Sequence, residues 1–287
     1  MKKPQWITIA IALALVAALF FFGRTVPEKK PVVVETHSED DGHDHGPSND
    51  ITIDSILDIA KRQLNTEQII RVNELENSIS RGDVKNQQIK VYHQLSHFWG
   101  DTMHFFPPYA WYEAEAARLE NSEKTLTFAA HLFLENLQRE PNPRIVKWEA
   151  LQAKDLFERS LKINPDNDSA KIGLGACYLF GNISPNPMEG IARIREVVDK
   201  DSTNTYAQMT MVKGLVISGQ NEKAIERLHT VNRQHPQNIE AILMLAEIHE
   251  RRGDKAIAAD WYKKSLEYIP REDVRIEIEK RIKELSK

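Results

Sequence analysis

The 287-residue sequence is poor in the residues that bend a chain. Glycine (12) and proline (13) each make up less than a twentieth of it, and glycine falls below its usual share of roughly 7%. That scarcity suits long helices better than turn-rich β architecture. A single cysteine, Cys177, excludes an intramolecular disulfide and offers no partner thiolate for a cysteine-based zinc or iron–sulfur site. An excess of charge of one sign is also missing. The 38 basic and 42 acidic side chains leave a net charge of −4, a balance that argues against a nucleic-acid binder, whose affinity would rest on a basic face. No P-loop, no G-x-S-x-G elbow and no nucleophile with its base is legible. The sequence therefore predicts no catalytic residues and no cofactor.

What is there begins with a hydrophobic run. Between Lys3 and Arg24 lie 20 residues without a charge, and 20 helical residues span roughly 30 Å, one bilayer core. A cleaved signal peptide would end in small residues, whereas this run ends Phe20-Phe21-Phe22-Gly23-Arg24. Residues 1–23 are thus expected to be an uncleaved signal-anchor helix that holds the chain in a bacterial inner membrane through residues 4–23. Lys2 and Lys3 before the run nearly balance Arg24, Lys29 and Lys30 after it. The short basic amino end leading straight into the apolar core places the remainder in the periplasm. Residues 24–50 carry Pro27, Pro31, Pro47 and the acidic group Glu39, Asp40, Asp41 and Asp44. With too few apolar side chains to offset the entropy of ordering, they are expected to be a disordered linker. His37, His43 and His45 in it offer a loose metal-handling alternative.

The C-terminal half repeats itself. Pro236 and Pro270 are 34 apart, as are Gly219 and Gly253. Upstream of each proline, at matching offsets, stand Ala224, Leu228 and Val231 in one unit and Ala258, Tyr262 and Ser265 in the next. One unit earlier come Gly190, Ile194, Val197 and Ser202, behind Leu174, Gly175 and Tyr178. Asn182 to Pro187 enlarge that unit to 37 residues. Ala153, Phe157, Ser160 and Pro165 match the second half of yet another. This pattern resembles the tetratricopeptide repeat, TPR, with departures: Lys171, Gln208 and Ile242 stand where the first-helix Trp belongs, and Ala246 and His249 replace Gly and Tyr. The resemblance implies an all-α helix-turn-helix solenoid. Small residues let two antiparallel helices approach, large ones fill the gap beside them, and each unit must stack on its neighbours. Residues 143–270 are expected to hold the TPR repeats, and 271–287 a capping helix with Val274, Ile278, Ile282 and Leu285 on one face.

Residues 51–142 are helical by periodicity without a clean 34-residue period, and one or two degenerate repeats are expected there. Ile53, Ile56, Leu57, Ala60 and Leu64 mark one amphipathic helix, and an Asn65/Gln68 capping box opens the next. Arg81-Gly82-Asp83 reads as a stop followed by a cap, as does Arg252-Gly253-Asp254. The aromatic stretch from Tyr92 to Tyr112, around Pro107-Pro108, reads as a packing junction at a broken turn. His93 and His97 share a helical spacing with His104 nearby, but Gln94 replaces the Glu of a metalloprotease; ordinary boundary histidines are expected, with metal handling as the alternative. Cys177 reads as a buried, inert thiol.

An array of this kind binds through the first helices of its units. By the TPR template the partner groove is expected at Ile172, Ala176, Leu179, Tyr206, Met209, Lys213, Val216, Leu243, Glu247 and Glu250. Ile172 and Ala176 stand where members that clamp a chaperone carboxylate tail carry Lys and Asn, so an apolar or amphipathic segment of a protein or peptide is the expected partner. The layout is similar to that of translocon-associated TPR proteins and of TPR subunits of cytochrome c maturation. The expected function is a membrane-anchored scaffold or adaptor in envelope protein assembly or export. Self-association of the repeats into a homo-oligomer is the alternative.

Overall fold

A computed structural model describes residues 51–81, 84–186 and 188–286. The expected membrane span and linker, with His37, His43 and His45, lie outside the described residues. Among those that are described, no helix is long and apolar enough to cross a membrane.

Helix α1 (Ile53–Lys61) buries Ile56 and Ala60, and its N-terminus is capped by Thr52, whose hydroxyl oxygen accepts from Ser55 N. Leu64 is buried just past its end. The capping box at α2 (Thr66–Arg81) closes in both directions: Gln68 N donates to Asn65 Oδ1 and Asn65 N donates to Gln68 Oε1, each at 2.9 Å. Helix α3 (Lys85–His97) has Val84 at its cap position, with no side-chain bond; Gly82 and Asp83 lie outside the described residues. The aromatic stretch is a junction. At Phe98 the backbone widens into a π-helical turn, Phe98–Thr102, before α4 (Phe106–Glu120). Pro107 and Pro108 occupy the first turn of α4, where a missing N–H costs nothing, and Trp99 is fully buried beneath the turn.

Four helix pairs follow: α5 (Glu123–Leu137) with α6 (Pro143–Ile163), α7 (Asp168–Phe180) with α8 (Met188–Lys200), α9 (Thr205–Ile217) with α10 (Asn221–Gln234), and α11 (Ile239–Arg252) with α12 (Lys255–Ser265). Each helix packs on the next, and α5, α7 and α9 also touch in sequence. The repeat positions read from the sequence are the core of this stack: Ala153, Phe157, Ser160, Ala224, Leu228, Val231, Ala258 and Ser265 are all at most 1% exposed. Burying a Phe or Leu contributes about 1.5–3 kcal/mol, and the small partners let the backbones close around them. The expected boundary at 142/143 lies within the packed array. It falls between α5 and α6, two helices of one tightly packed pair joined through Leu126, Ala130, Phe133, Ala153 and Phe157. Pro141, Asn142 and Pro143 look like a domain edge in sequence, but they form only the turn between the two helices.

The turns carry a second periodic device. Asn167, Asn204 and Asn238 cap α7, α9 and α11 by accepting from the amides of Ala170, Ala207 and Ala241 at 2.9, 3.0 and 2.9 Å. Each cap is worth about 1 kcal/mol. Gly219 and Gly253 adopt φ of 73° and 86° between the helices of a pair, a left-handed region that other residues enter at a cost. Helix α13 (Glu272–Leu285) closes the array, packing Ile278, Val274, Ile282 and Leu285 over Leu243, Ala246 and Tyr262.

Candidate functional site

Three of the ten expected groove residues are buried. Ile172, Ala176 and Met209 are 1%, 1% and 4% exposed. Ile172 packs with Ile194, Val197, Ala207 and Met211, and Met209 with Val212 and Leu228. The reason is the stacking itself. α7 and α9 are enclosed by helices before and after them, so positions that would line a groove in an open template face a neighbour here. Ala207 through Val212 are buried without interruption.

Three others meet in one groove of about 500 Å³ lined by residues of the successive first helices. Leu179 and Phe180 come from the last turn of α7, Lys213, Val216 and Ile217 from α9, Met244 from α11, and Leu137 and Val146 from the α5–α6 pair. Leu179 lies directly on Gly214, where a Cβ would come within 3.2 Å of its Cδ1, and so forms the floor. Ile217, 68% exposed, is the most exposed large apolar side chain among the described residues. Lys213 stands at the edge, its ammonium 2.8 Å from Glu240 Oε1 on α11. The groove can therefore take apolar side chains along its floor and a polar or acidic group at one edge, where Lys213 would exchange partners.

The rest lie elsewhere. Tyr206 borders a separate hollow with Phe128, His131, Glu135 and Ser169. There the His131 ring stands between Phe157 and Tyr206, at centroid distances of 5.1 and 5.8 Å, and its Nε2 is 2.9 Å from Ser169 Oγ. Burial pulls the His131 pKa below its ordinary value, so the neutral imidazole can accept the serine proton in a hydrogen bond. A serine beside a histidine was not legible in the sequence, because 38 residues separate them. No carboxylate hydrogen-bonds the other ring nitrogen among the described residues, and the contact ties α5 to α7. Leu243 faces α13. Glu250 has both oxygens engaged, by Arg281 of α13 and by Tyr262 Oη at 2.9 Å, so it latches the terminal helix. Glu247 is exposed.

Other singled-out residues have local partners. His93 reaches Glu113 at 3.2 Å and Glu120 at 3.7 Å on α4, His97 pairs with Asp101 at 2.9 Å, and His104 Nδ1 bonds Gly100 O at 3.0 Å. Among the described residues no group of three His, Cys, Asp or Glu side chains gathers in a way that could hold a metal ion. Gly173 and Gly175 lie inside α7, against the Phe157 ring and against Gly190. Cys177 is fully buried, and burial raises its pKa.

Phe180, Ile217 and Met244 also line the groove around Leu179 and stand outside the ten expected positions. A signal was present: Leu215, Val216 and Ile217 are three apolar residues in a row before Ser218-Gly219. Successive residues on a helix point about 100° apart, so one core-facing stripe cannot absorb all three.

No protein-family model matches the chain, and no curated protein matches it. Solved structures similar to it include MamA 41-end from Desulfovibrio magneticus RS-1, 22% identical over 65% of this chain and 96% of that one, with a TM-score of 0.43. YrrB, described as a TPR protein with an unusual peptide-binding site, is 15% identical over 72% of this chain and 97% of its own, with a TM-score of 0.41. TTC0263, a thermophilic TPR protein of Thermus thermophilus, is 17% identical over 55% and 91%, with a TM-score of 0.39.

Proposed function

We propose that this chain is a TPR-type scaffold that takes an apolar or amphipathic segment of another protein into the groove bordered by Leu179, Val216, Ile217 and Met244. The observation that carries the reading is Ile217, an isoleucine left 68% exposed among the residues that line a largely apolar groove. Full burial of such a side chain is worth about 1.5–3 kcal/mol, and that energy is unused until a partner covers it. Lys213, held only by a surface pair with Glu240, adds orientation and little affinity. In this reading residues 4–23 anchor the chain in a bacterial inner membrane, residues 24–50 tether it, and the repeats work on the periplasmic side as an adaptor in envelope assembly or export. The reading assigns it no catalytic step.

A photo-reactive amino acid at position 217 tests the groove. The expected result is a discrete cross-linked partner that is lost on Val216→Asp and is not formed from position 163, an exposed isoleucine at the end of α6. Identical products from positions 217 and 163 would overturn it. Protease treatment of intact cells and of spheroplasts tests the sidedness: degradation of the repeats only after the outer envelope is breached is expected, and protection until lysis would move the scaffold to the cytoplasm.

A further inference from the structure

The opposite face of α9 opens onto a second cleft, of about 490 Å³, between α8 and α10. Its floor is apolar: Ile191 from α8, with Met211 and Leu215 from α9. Met211 and Leu215 are four apart and share one helix face, whereas Lys213 and Val216 of the first groove lie on the other. The rim is basic. Arg195 stands on α8, and Lys223 and Arg227 stand one turn apart on α10.

Among the described residues these cations lack anionic partners. Arg227 Nη1 donates to Oε1 of Gln208 at 2.8 Å, and Gln208, 4% exposed, spends its amide group on Ser202 O at 3.0 Å. Lys223 Nζ donates to Gln220 Oε1 at 2.9 Å. Both partners are neutral amides. Among the described residues none of the three cations forms an ion pair, and the only carboxylate lining the cleft is Glu226. Several cations elsewhere in the array do pair with a carboxylate on their own or a neighbouring helix, as Lys154 does with Glu158 and Lys200 with Asp168. A concave apolar floor with a positive rim, on a chain of net charge −4, is complementary to a segment that carries both apolar and acidic side chains. The floor would supply affinity through burial, and the rim would supply steering and register.

We propose that the cleft between α8 and α10 docks an acidic amphipathic peptide segment of a partner protein, its apolar side chains on Ile191, Met211 and Leu215 and its carboxylates on Arg195, Lys223 and Arg227. This surface is independent of the groove around Ile217, so one scaffold would hold two segments on opposite faces of α9.

The test uses the full-length chain and a fluorescent synthetic peptide with Leu at helical i, i+3, i+4 spacing and Glu between, compared with Glu→Gln and Glu→Lys versions, by fluorescence anisotropy. The Glu peptide is expected to bind about tenfold or more tightly than the Gln peptide, and its affinity to fall as salt is raised from about 0.05 M to about 0.5 M. The Lys peptide is expected not to bind. Arg195→Glu with Lys223→Glu, both on exposed side chains, should weaken the Glu peptide about tenfold or more, and Val216→Asp should leave it unchanged. Should the double charge reversal lower the melting temperature, Arg195→Gln with Lys223→Gln gives the same comparison at smaller size. Equal binding of the Glu and Gln peptides would overturn the proposal. Loss of binding on Val216→Asp alone would also overturn it, because the peptide would then sit in the other groove. So would light scattering that shows the full chain as a dimer made monomeric by the charge reversal, because a second copy would then be the occupant.

Discussion

Gly190 of α8 and Gly175 of α7 lie backbone to backbone: a Cβ on Gly190 would fall 2.4 Å from Gly175 O, and one on Gly175 would fall 2.7 Å from Gly190 O. No side chain fits there, and the pair can close only because both residues lack one. Gly190→Ala is expected to force the helices apart and to cost about 1–3 kcal/mol or more, read as a lower urea midpoint. Gly219 gives the contrast. A Cβ there meets nothing within 4 Å among the described residues, but its φ is 73°. Gly219→Ala should therefore cost about 1–2 kcal/mol through backbone conformation alone, and Gly219→Asn, which tolerates that region, less.

Ile172 and Ile217 separate core from binding surface. Ile172→Ala removes a side chain that is 1% exposed and is expected to cost about 2–5 kcal/mol. Ile217→Ser, at a side chain 68% exposed, should change stability by about 0.5 kcal/mol or less while reducing partner capture. Chemical denaturation of the two variants, with the cross-linking yield of the second, checks the assignment.

Glu149 makes stability depend on pH. It is fully buried on α6, with Oε1 accepting from Asn136 Nδ2 at 2.8 Å and Oε2 without a partner among the described residues. Burial pushes its carboxyl up from 4.5 to about 8, opposed by the Asn136 bond and aided by the charge of Glu140. The folded state thus holds a proton that the unfolded chain releases. Stability is expected to be highest below pH 4.5 as far as this group is concerned, and to fall as pH rises from there to about 8. Glu149→Gln keeps an acceptor for Asn136 and should flatten that slope, as measured by thermal unfolding across the range.

The terminal helix is expected to protect its neighbours. Truncation after Pro270 removes Ile278 and Ile282 and uncovers Leu243, Ala246 and Tyr262. Amide exchange should then accelerate in α11 and α12 while α5 to α7 stay protected, because neighbouring units stabilise each other locally.

Where a residue's role depends on its own helix, the sequence carried it. The 34-residue spacing of Ala224 and Ala258, the capping box at Asn65, the glycine turns and the apolar face of α13 all follow from local chemistry, and the structure has them. Where the role depends on which helix lies opposite, the sequence was silent. Ile172 and Leu179 are both apolar residues on one repeat helix, yet one meets α8 and is buried while the other lies at a groove. Position 250 looked free on the template until Arg281, 31 residues later, took its carboxylate. The Pro-rich turn at 141–143 concealed the pairing of α5 with α6 for the same reason, since nothing in either helix alone names its partner.

Packing in chain order has a mechanical consequence. Nearly every helix contact in the described array joins elements adjacent or next-adjacent in sequence, so tension applied at the two ends has no single keystone to break. Each pair should let go separately, and a force–extension trace should show a series of rips, each lengthening the chain by roughly 110 Å at most for a 34-residue unit. The chain would behave as a load-limiting extensible spacer.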